Sequence, residues 1–259
     1  MMPVTLIGAG NVAWHLGHAF VSSGITVHHV WSRNPLHAQQ LAKELGCTGL
    51  FNLDEVCDID GLVILAIPDH AIIDLIGVFT KKQWSNSLFV HTSGGTTLDV
   101  FPKTGMKSGV FYPLQTLTYG HDVDFSKVPI LISAFEEEVI QVLMTFAQKI
   151  STVVYRIKDE ERAYVHLAAV IVNNFVNHLG GLSQLILRER GLDKTMLDTL
   201  ILETMHKVLN FDPKEVQTGP ARRGDMETIH RHLKLLSNHP GIATLYRQLS
   251  LSINPGLKI

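Results

Sequence analysis

Charge, cysteine and long apolar stretches are all scarce in this chain of 259 residues. Only 18% of its residues are charged, and 22 basic against 24 acidic side chains leave a net charge of −2. With no basic face, neither nucleic acid nor an anionic membrane is expected as a partner, and any positive site must be local. The two cysteines, Cys47 and Cys57, lack metal-ligand spacing, and an apolar strand begins almost at the first residue where a signal peptide would stand. Both features predict the reducing cytoplasm. The most apolar long segment, His166 to Leu187, is interrupted by Asn173, Asn174, Asn177, His178 and Gln184, too many polar groups for hydrocarbon, and reads as a buried helix. Histidine is abundant, with 14 residues, yet no metal site is predicted. His28 and His29 alternate faces on a strand, and His230 and His232 fall on different sides of a helix.

What is present is a strand, a glycine turn and a helix at the very start: Val4-Thr5-Leu6-Ile7-Gly8-Ala9-Gly10-Asn11-Val12-Ala13, then an amphipathic run from Trp14 to Val21. Gly8 suits a tight turn, Gly10 lets backbone approach a pyrophosphate, and small Ala13 lets the helix sit close to the strand. The helix N-terminus, including the amides of Asn11 and Val12, offers N–H groups and partial positive charge to the phosphates. The alternative is a ligand-free turn, but the whole βαβ context that the motif requires is in place. The second apolar run, Val27 to Trp31, ends in Ser32-Arg33 rather than in Asp or Glu. An acid there would bind the ribose hydroxyls of NAD and repel a 2′-phosphate, whereas Ser32 and Arg33 donate to one, so NADP is the expected cofactor. The competing reading stacks Arg33 on the adenine without discrimination between the two.

Through residue 155 short β-rich runs alternate with helical ones, which predicts a parallel, doubly wound sheet with crossover helices. Gly61 to Ile67 reads as a strand buried on both faces, and Ala66-Ile67-Pro68 is expected to pass beside the cofactor, with Asp69 capping the next helix. Further strands are expected at Leu88 to His91, Gly109 to Phe111, Ile130 to Ser133 and Thr152 to Tyr155, with an acidic helix start at Glu136-Glu137-Glu138. Beyond Lys158 the strands cease. A long helix from Asp159 to Arg190 ends at Gly191, then come Lys194 to Asn210, a loop through Gly219-Pro220, and helices from Met226 to Leu236 and Gly241 to Ile253. The expected organisation is a Rossmann domain at 1–155 and an all-α domain at 156–259. The long helix is apolar on nearly every side, which predicts burial against a second copy of the chain in a homodimer.

Three segments carry candidate chemistry. Ser93, with the amides around Gly94 and Gly95, is placed to hold a substrate carboxylate or carbonyl. Tyr112 and Gln115, at the end of the next strand, put a phenol and an amide beside the expected nicotinamide. On the long helix His166 and one of Asn173 and Asn174 share a face. Each has a plainer reading: His166 as a packed or capping side chain, Tyr112 as a half-buried aromatic, the asparagines as cross-subunit hydrogen bonds. A shaped loop, Thr218 to Asp225, carries Arg222 and Arg223, with Asp225 as a helix cap. Arg223 either clamps an anion or belongs to a solvated turn.

The order of parts resembles the superfamily of 6-phosphogluconate dehydrogenase, 3-hydroxyacid dehydrogenases and pyrroline-5-carboxylate reductase. More narrowly, His91-Thr92-Ser93-Gly94, Tyr112-Pro113-Leu114-Gln115-Thr116, His166-Leu167-Ala168-Ala169-Val170 running to Asn174, and Thr218-Gly219-Pro220-Ala221 with Arg223-Gly224-Asp225 resemble a bacterial family with a C-terminal domain of unknown function, DUF2520. The resemblance spans the chain and implies an NADP-binding Rossmann half and a dimer through the helical half; it implies no substrate. Two departures stand out. The family commonly has His where this chain has Tyr112, and the hydroxyacid dehydrogenases place a proton-moving Lys where this chain has Val170. The proton for a hydride-transfer reaction must then come from His166, Tyr112 or water, or the substrate is an imine that needs little help. The leading expectation is an NADP-dependent oxidoreductase acting on a small anionic carbonyl or imine compound held by Ser93, Gln115 and Asn174. The alternatives are a non-catalytic NADP-binding dimer, favoured by Val170, and a methyltransferase, disfavoured by Ser32-Arg33.

Overall fold

The computed structural model describes residues 1–54, 60–80 and 87–259, so Cys57 lies outside the described residues. The chain forms two compact units, Met1–Asn174 and Phe175–Ile259.

The first unit is built on an eight-stranded sheet of order β3-β2-β1-β4-β5-β6-β7-β8. Its strands are β1 (Val4–Ile7), β2 (Val27–Trp31), β3 (Thr48–Leu50), β4 (Gly61–Leu65), β5 (Ser87–His91), β6 (Lys107–Pro113), β7 (Ile130–Ala134) and β8 (Val154–Arg156). β1 pairs in parallel with β2 on one side and β4 on the other, so the chain order reverses beside β1 and opens a crevice at the strand ends there. All residues of β1, β4 and β5 are buried, as their near-continuous apolar sequences require of strands covered on both faces. One face packs on α1 (Asn11–Ser22), α2 (Pro35–Leu45) and α4 (Glu137–Ile150) through Leu16, Phe20, Leu41, Phe111, Leu143 and Phe146. The other packs on α3 (Asp69–Phe79) through Ile72, Ile76, Phe79 and Phe89, with Phe101 closing the cluster.

Local chemistry sets the helix limits. In α4 the buried Val139, Ile140, Leu143, Phe146, Ala147 and Ile150 follow helical spacing, with Glu137 and Glu138 in the first turn complementing the dipole. Asn34 caps α2 by accepting from Leu36 N at 3.0 Å, with Pro35 at the first helical position.

Four expectations change. β7 runs antiparallel to β6, because the connection at 114–129 holds only a single 3₁₀ turn (Phe125–Lys127) and no crossover helix. β3 has three residues and no apolar run, so periodicity gave no sign of it. Asp69 does not cap α3: Pro68 occupies the cap and no side-chain hydrogen bond is made there. Pro220–Arg223, expected as loop, is a short helical turn, α8. Asp225 does cap the following helix, accepting from Thr228 N at 3.0 Å.

The long helix begins in the first unit as α5 (Asp159–Ala169), passes through a π-helical segment at Val170–Phe175 and continues as α6 (Val176–Glu189). The second unit comprises α6, α7 (Asp198–Asn210), α8, α9 (Met226–Leu235) and α10 (Pro240–Ile253). Its own buried cluster is small, centred on Ala221, Ile229 and Leu257, while Leu200, Leu202 and Leu209 are exposed, the last by 83%. None of the described helices is long and apolar enough to cross a membrane.

Candidate active site

Two cavities open at the crevice of the first unit. One, of about 380 Å³, is lined by Gly8, Ala9, Gly10, Trp31, Ser32, Arg33, His37, Ala66, Ile67, Pro68 and residues of α3 including Asp74. Seven of the nine residues expected to hold the cofactor therefore meet here; Asn11 and Val12 line the neighbouring cavity instead. The two glycines of the turn are glycine for different reasons. Gly8 has φ +118°, and a Cβ on it would lie 2.2 Å from the Ala66 carbonyl oxygen, so the backbone just past β4 forbids a side chain. Gly10 has φ −92°, and a Cβ there would meet no protein atom within 4 Å. Neither backbone nor packing demands glycine at 10, and the space a methyl would fill lies at the uncapped start of α1, which has no acid in its first turn.

The second cavity, of about 770 Å³, joins Asn11, Val12, Tyr112, Gln115, His166, Val170, Asn173 and Asn174. Tyr112, at the end of β6, and His166, two turns into α5, form a hydrogen-bonded pair, with Tyr112 Oη 3.1 Å from His166 Nδ1. Burial, and then the nearby Asp69 carboxylate, push the Tyr112 phenol above its ordinary pKa against the opposing Arg162. The phenol thus keeps its proton at neutral pH and is available to donate to Nδ1 of the tautomer that carries its proton on Nε2. Gly94 is what lets the loop after β5 lie on this pair: a Cβ there would stand 2.5 Å from His166 Nδ1 and 2.8 Å from Tyr112 Cζ. Both Asn173 and Asn174 reach the cavity, where a regular α-helix would turn one of them aside. They lie in the π-helical segment, whose wider turn keeps consecutive side chains closer to one face.

Other expected residues are differently employed. Ser93 Oγ accepts from Gly95 N at 3.1 Å and Thr96 N at 2.8 Å, so the loop amides proposed for a ligand are partly spent on the loop's own turn. Gln115 Oε1 accepts from Thr116 N at 2.8 Å. Asn11 Oδ1 accepts from Tyr119 N at 3.1 Å and so tethers the segment that carries Gln115. The same segment is latched at Glu44, which accepts from Trp14 Nε1 at 2.7 Å, Tyr119 Oη at 2.9 Å and Gln40 Nε2 at 3.2 Å. Burial raises the Glu44 carboxyl, but these donors and His18 together hold it below its ordinary pKa. Arg223 lies in the second unit, 3.9 Å from Asp225.

Sequence reasoning missed Arg162 altogether. It is only 1% exposed, its guanidinium bonds Asp159 and the Thr96 carbonyl and lies 3.1 Å from Ser133 Oγ, and Asp159 in turn accepts from Leu98 N. One buried cation thus ties the start of α5 to the Ser93–Leu98 loop and to β7. Asp159 and Arg162 read as an ordinary surface i,i+3 pair, so no local signal marked them.

His91, at the end of β5, is fully buried, stacked on Phe101, and accepts from Ser93 N at 3.2 Å. Burial above all, with Arg162 adding to it, pulls its pKa down to about 4. The folded state therefore binds fewer protons than the unfolded chain, and stability falls as pH drops from about 6.5 toward 4. The shift corresponds to roughly 3 kcal/mol. Urea unfolding at pH 7 and pH 4.5 is expected to show a pH loss in the native chain that is clearly smaller in His91→Gln; equal losses would remove His91 as its source.

Comparison with known proteins places this geometry. Residues 3–95 match the family described as "NADP oxidoreductase coenzyme F420-dependent", and residues 128–253 match the domain of unknown function DUF2520. No curated protein matches the chain. A Bacteroides fragilis protein assigned as an NADP oxidoreductase has 34% sequence identity, with 98% of each chain covered and a TM-score of 0.91. The chain belongs to this family of NADP oxidoreductases.

Two further structures share the fold of this oxidoreductase. Protein TM1727 of Thermotoga maritima is 21% identical over 95% of this chain and 99% of its own, with a TM-score of 0.73. An imine reductase from Myxococcus stipitatus, in complex with NADP⁺, is 17% identical over 98% and 95%, with a TM-score of 0.68. The residues of the first cavity fit NADP on their own chemistry. The open space at Gly10 and the uncapped α1 suit a pyrophosphate, and Ser32, Arg33 and His37 gather donors where the end of β2 reads the ribose. His37 was not foreseen; in the first turn of α2, it carried no signal beyond its distance from Arg33.

Proposed function

We propose that the oxidoreductase reduces the carbonyl or imine carbon of a small substrate with NADPH, and that the Tyr112–His166 pair handles the proton. The observation that carries this reading is the pair itself, hydrogen-bonded at 3.1 Å in a cavity whose Asn11 and Val12 directly follow the glycine turn that lines the nucleotide cavity. Bound NADPH supplies the hydride. The protein's part is orientation and proton supply: Asn174 and Gln115 offer amide groups to the substrate, Ser93 and Gly94 shape the loop above it, and Tyr112 backs His166 as its Nε2 proton is passed on. Val170 lines the same cavity without an ionisable group, so the pair takes the place of a helix lysine.

An anionic substrate would call on Arg223, which lies in the second unit. The cavity of the first unit is lined by amides, a phenol, an imidazole and apolar side chains, a set better matched to an imine or an uncharged carbonyl. Residues 1–155 serve as the cofactor domain and 156–259 as the substrate and dimerisation domain, in a cytoplasmic homodimer. The exposed Leu167, Ile171, Phe175, Leu202 and Leu209 support the dimer, since a single chain leaves them in water. Light scattering is expected to give the mass of two chains; a single-chain mass at micromolar concentration would overturn that part.

The first test is fluorescence titration with NADPH and NADH, followed by NADPH consumption on a panel of cyclic imines, ketones and keto acids. NADPH is expected to bind at least about tenfold tighter than NADH, because Arg33 and Ser32 pair with the extra phosphate. His166→Ala and Asn174→Ala are expected to lower turnover by about 10²-fold with NADPH affinity nearly unchanged. Tight binding with no turnover on any compound would favour a non-catalytic NADP-binding dimer, the reading that Val170 supports.

A further inference from the structure

We infer that the substrate cavity is built for a cationic ligand, a protonated imine or amine, with Asp69 as its counter-ion; this rests on the reading of the Tyr112–His166 cavity given above. Asp69 opens α3 directly after Ala66-Ile67-Pro68, yet it makes no capping bond, and no described basic side chain forms an ion pair with it. Its carboxylate lies instead near the catalytic pair, close enough to act on the Tyr112 phenol though outside the lining of the cavity itself. A single methyl group on Gly95 would lie 3.7 Å from Asp69 Oδ2 and 3.9 Å from His166 Cδ2, so glycine at 95 keeps clear the space between the acid and the imidazole. Asp69 is also solvent-exposed, as a residue that meets an arriving ligand must be.

The other charges near the pair cancel. Arg162 is bound to Asp159, and burial keeps His91 neutral at physiological pH. No Lys, Arg, Asp or Glu lines the cavity itself. Of the two charges among the described residues that act on Tyr112, Arg162 is paired and Asp69 is not, so the net field at this end of the site attracts a cation and repels a carboxylate. A protonated imine carries its positive charge on the C=N unit to be reduced. A neutral imine arriving there can take a proton from the Tyr112–His166 pair, which is left one proton short until solvent restores it, and the same cation then faces Asp69.

The experiment is calorimetric titration of the full chain, saturated with NADP⁺, at low salt and pH 7, with three ligands of similar size: pyrrolidinium, cyclopentanone and cyclopentanecarboxylate. Pyrrolidinium is expected to bind about tenfold tighter than the carboxylate. In Asp69→Asn its affinity should fall by about the same factor, while cyclopentanone binding, NADP⁺ affinity and the melting temperature stay nearly constant. The carboxylate binding best, or pyrrolidinium binding equally to both proteins, would overturn the inference and leave the reductase reading intact. A loss of NADP⁺ affinity in Asp69→Asn would overturn it too, by assigning the carboxylate to the cofactor. If native protein binds NADP⁺ but none of the three ligands, both readings fall.

Discussion

Gly10→Ala is expected to leave the fold almost untouched and weaken NADPH binding at least about tenfold, while Gly8→Ala, two residues away, is expected to unfold much of the protein before any binding can be measured. The contrast follows from what each added methyl would meet. At position 10 it meets no protein atom within 4 Å and the backbone is already in an ordinary conformation, so only the slightly poorer helix cap is lost, about 1 kcal/mol. The same methyl would occupy the space through which the start of α1 approaches a pyrophosphate. At position 8 the methyl would fall 2.2 Å from the Ala66 carbonyl oxygen, on a residue at φ +118°. A left-handed conformation costs about 1–3 kcal/mol for a residue with a Cβ, and the backbone of β1 or β4 must shift besides. Thermal unfolding and NADPH titration of the two variants give the answer. A Gly10→Ala protein with native affinity would remove the phosphate from this turn, and a Gly8→Ala protein with native melting would show that the contact with Ala66 relaxes freely.

Arg162→Met is the second change of large expected effect, a loss of about 3–5 kcal/mol, or roughly 10 °C in melting temperature. Arg162 is the largest fully buried side chain among the described residues, and its removal takes a charged donor from three partners at once: the Asp159 carboxylate, which keeps only Leu98 N, the Thr96 carbonyl and Ser133 Oγ. The cost comes chiefly from leaving Asp159 uncompensated. Arg162→Met combined with Asp159→Leu is therefore expected to recover part of the loss, and strict additivity of the two changes would show that the pair is not coupled. The effect should also reach the site. Thr96 and Leu98 are held by this pair, and the loop they belong to carries Gly94 onto Tyr112 and His166. Loosening it should raise KM and lower kcat together, while NADPH affinity, which depends on the other cavity, changes little.

Much of this was legible in the residues alone because the signals are local. A glycine turn between an apolar strand and an amphipathic helix specifies a βαβ nucleotide site whatever surrounds it. The missing acid after Trp31 and the Ser32-Arg33 pair in its place depend on charge at one position. Continuous apolar runs marked β4 and β5, and helical spacing marked α4 and the long helix. These features fixed the Rossmann sheet, the helical second half and NADP as the cofactor. The resemblance of the His91, Tyr112, His166 and Thr218 motifs to one family agreed with that reading.

What the tertiary structure alone decided is non-local. Arg162 looks like a solvent residue until the Ser93–Leu98 loop and β7 close over it. Ser93 and Asn11 have the right chemistry for ligands, yet their oxygens are taken by backbone amides at Gly95, Thr96 and Tyr119, and no periodicity reports that. The antiparallel return of β7 follows from a connection without a crossover helix, and β3 is an edge strand too short to carry a pattern. The π-helical segment that brings both Asn173 and Asn174 to the cavity carries no mark in the apolar periodicity of the long helix. Asp69 is the clearest case: read locally it was a helix cap, and only the fold brings Gly95 and His166 from distant parts of the chain near its non-capping carboxylate. Sequence determines which groups are available and which elements they sit on; packing determines which of their hydrogen bonds and charges remain uncommitted, and those are the ones left for a ligand.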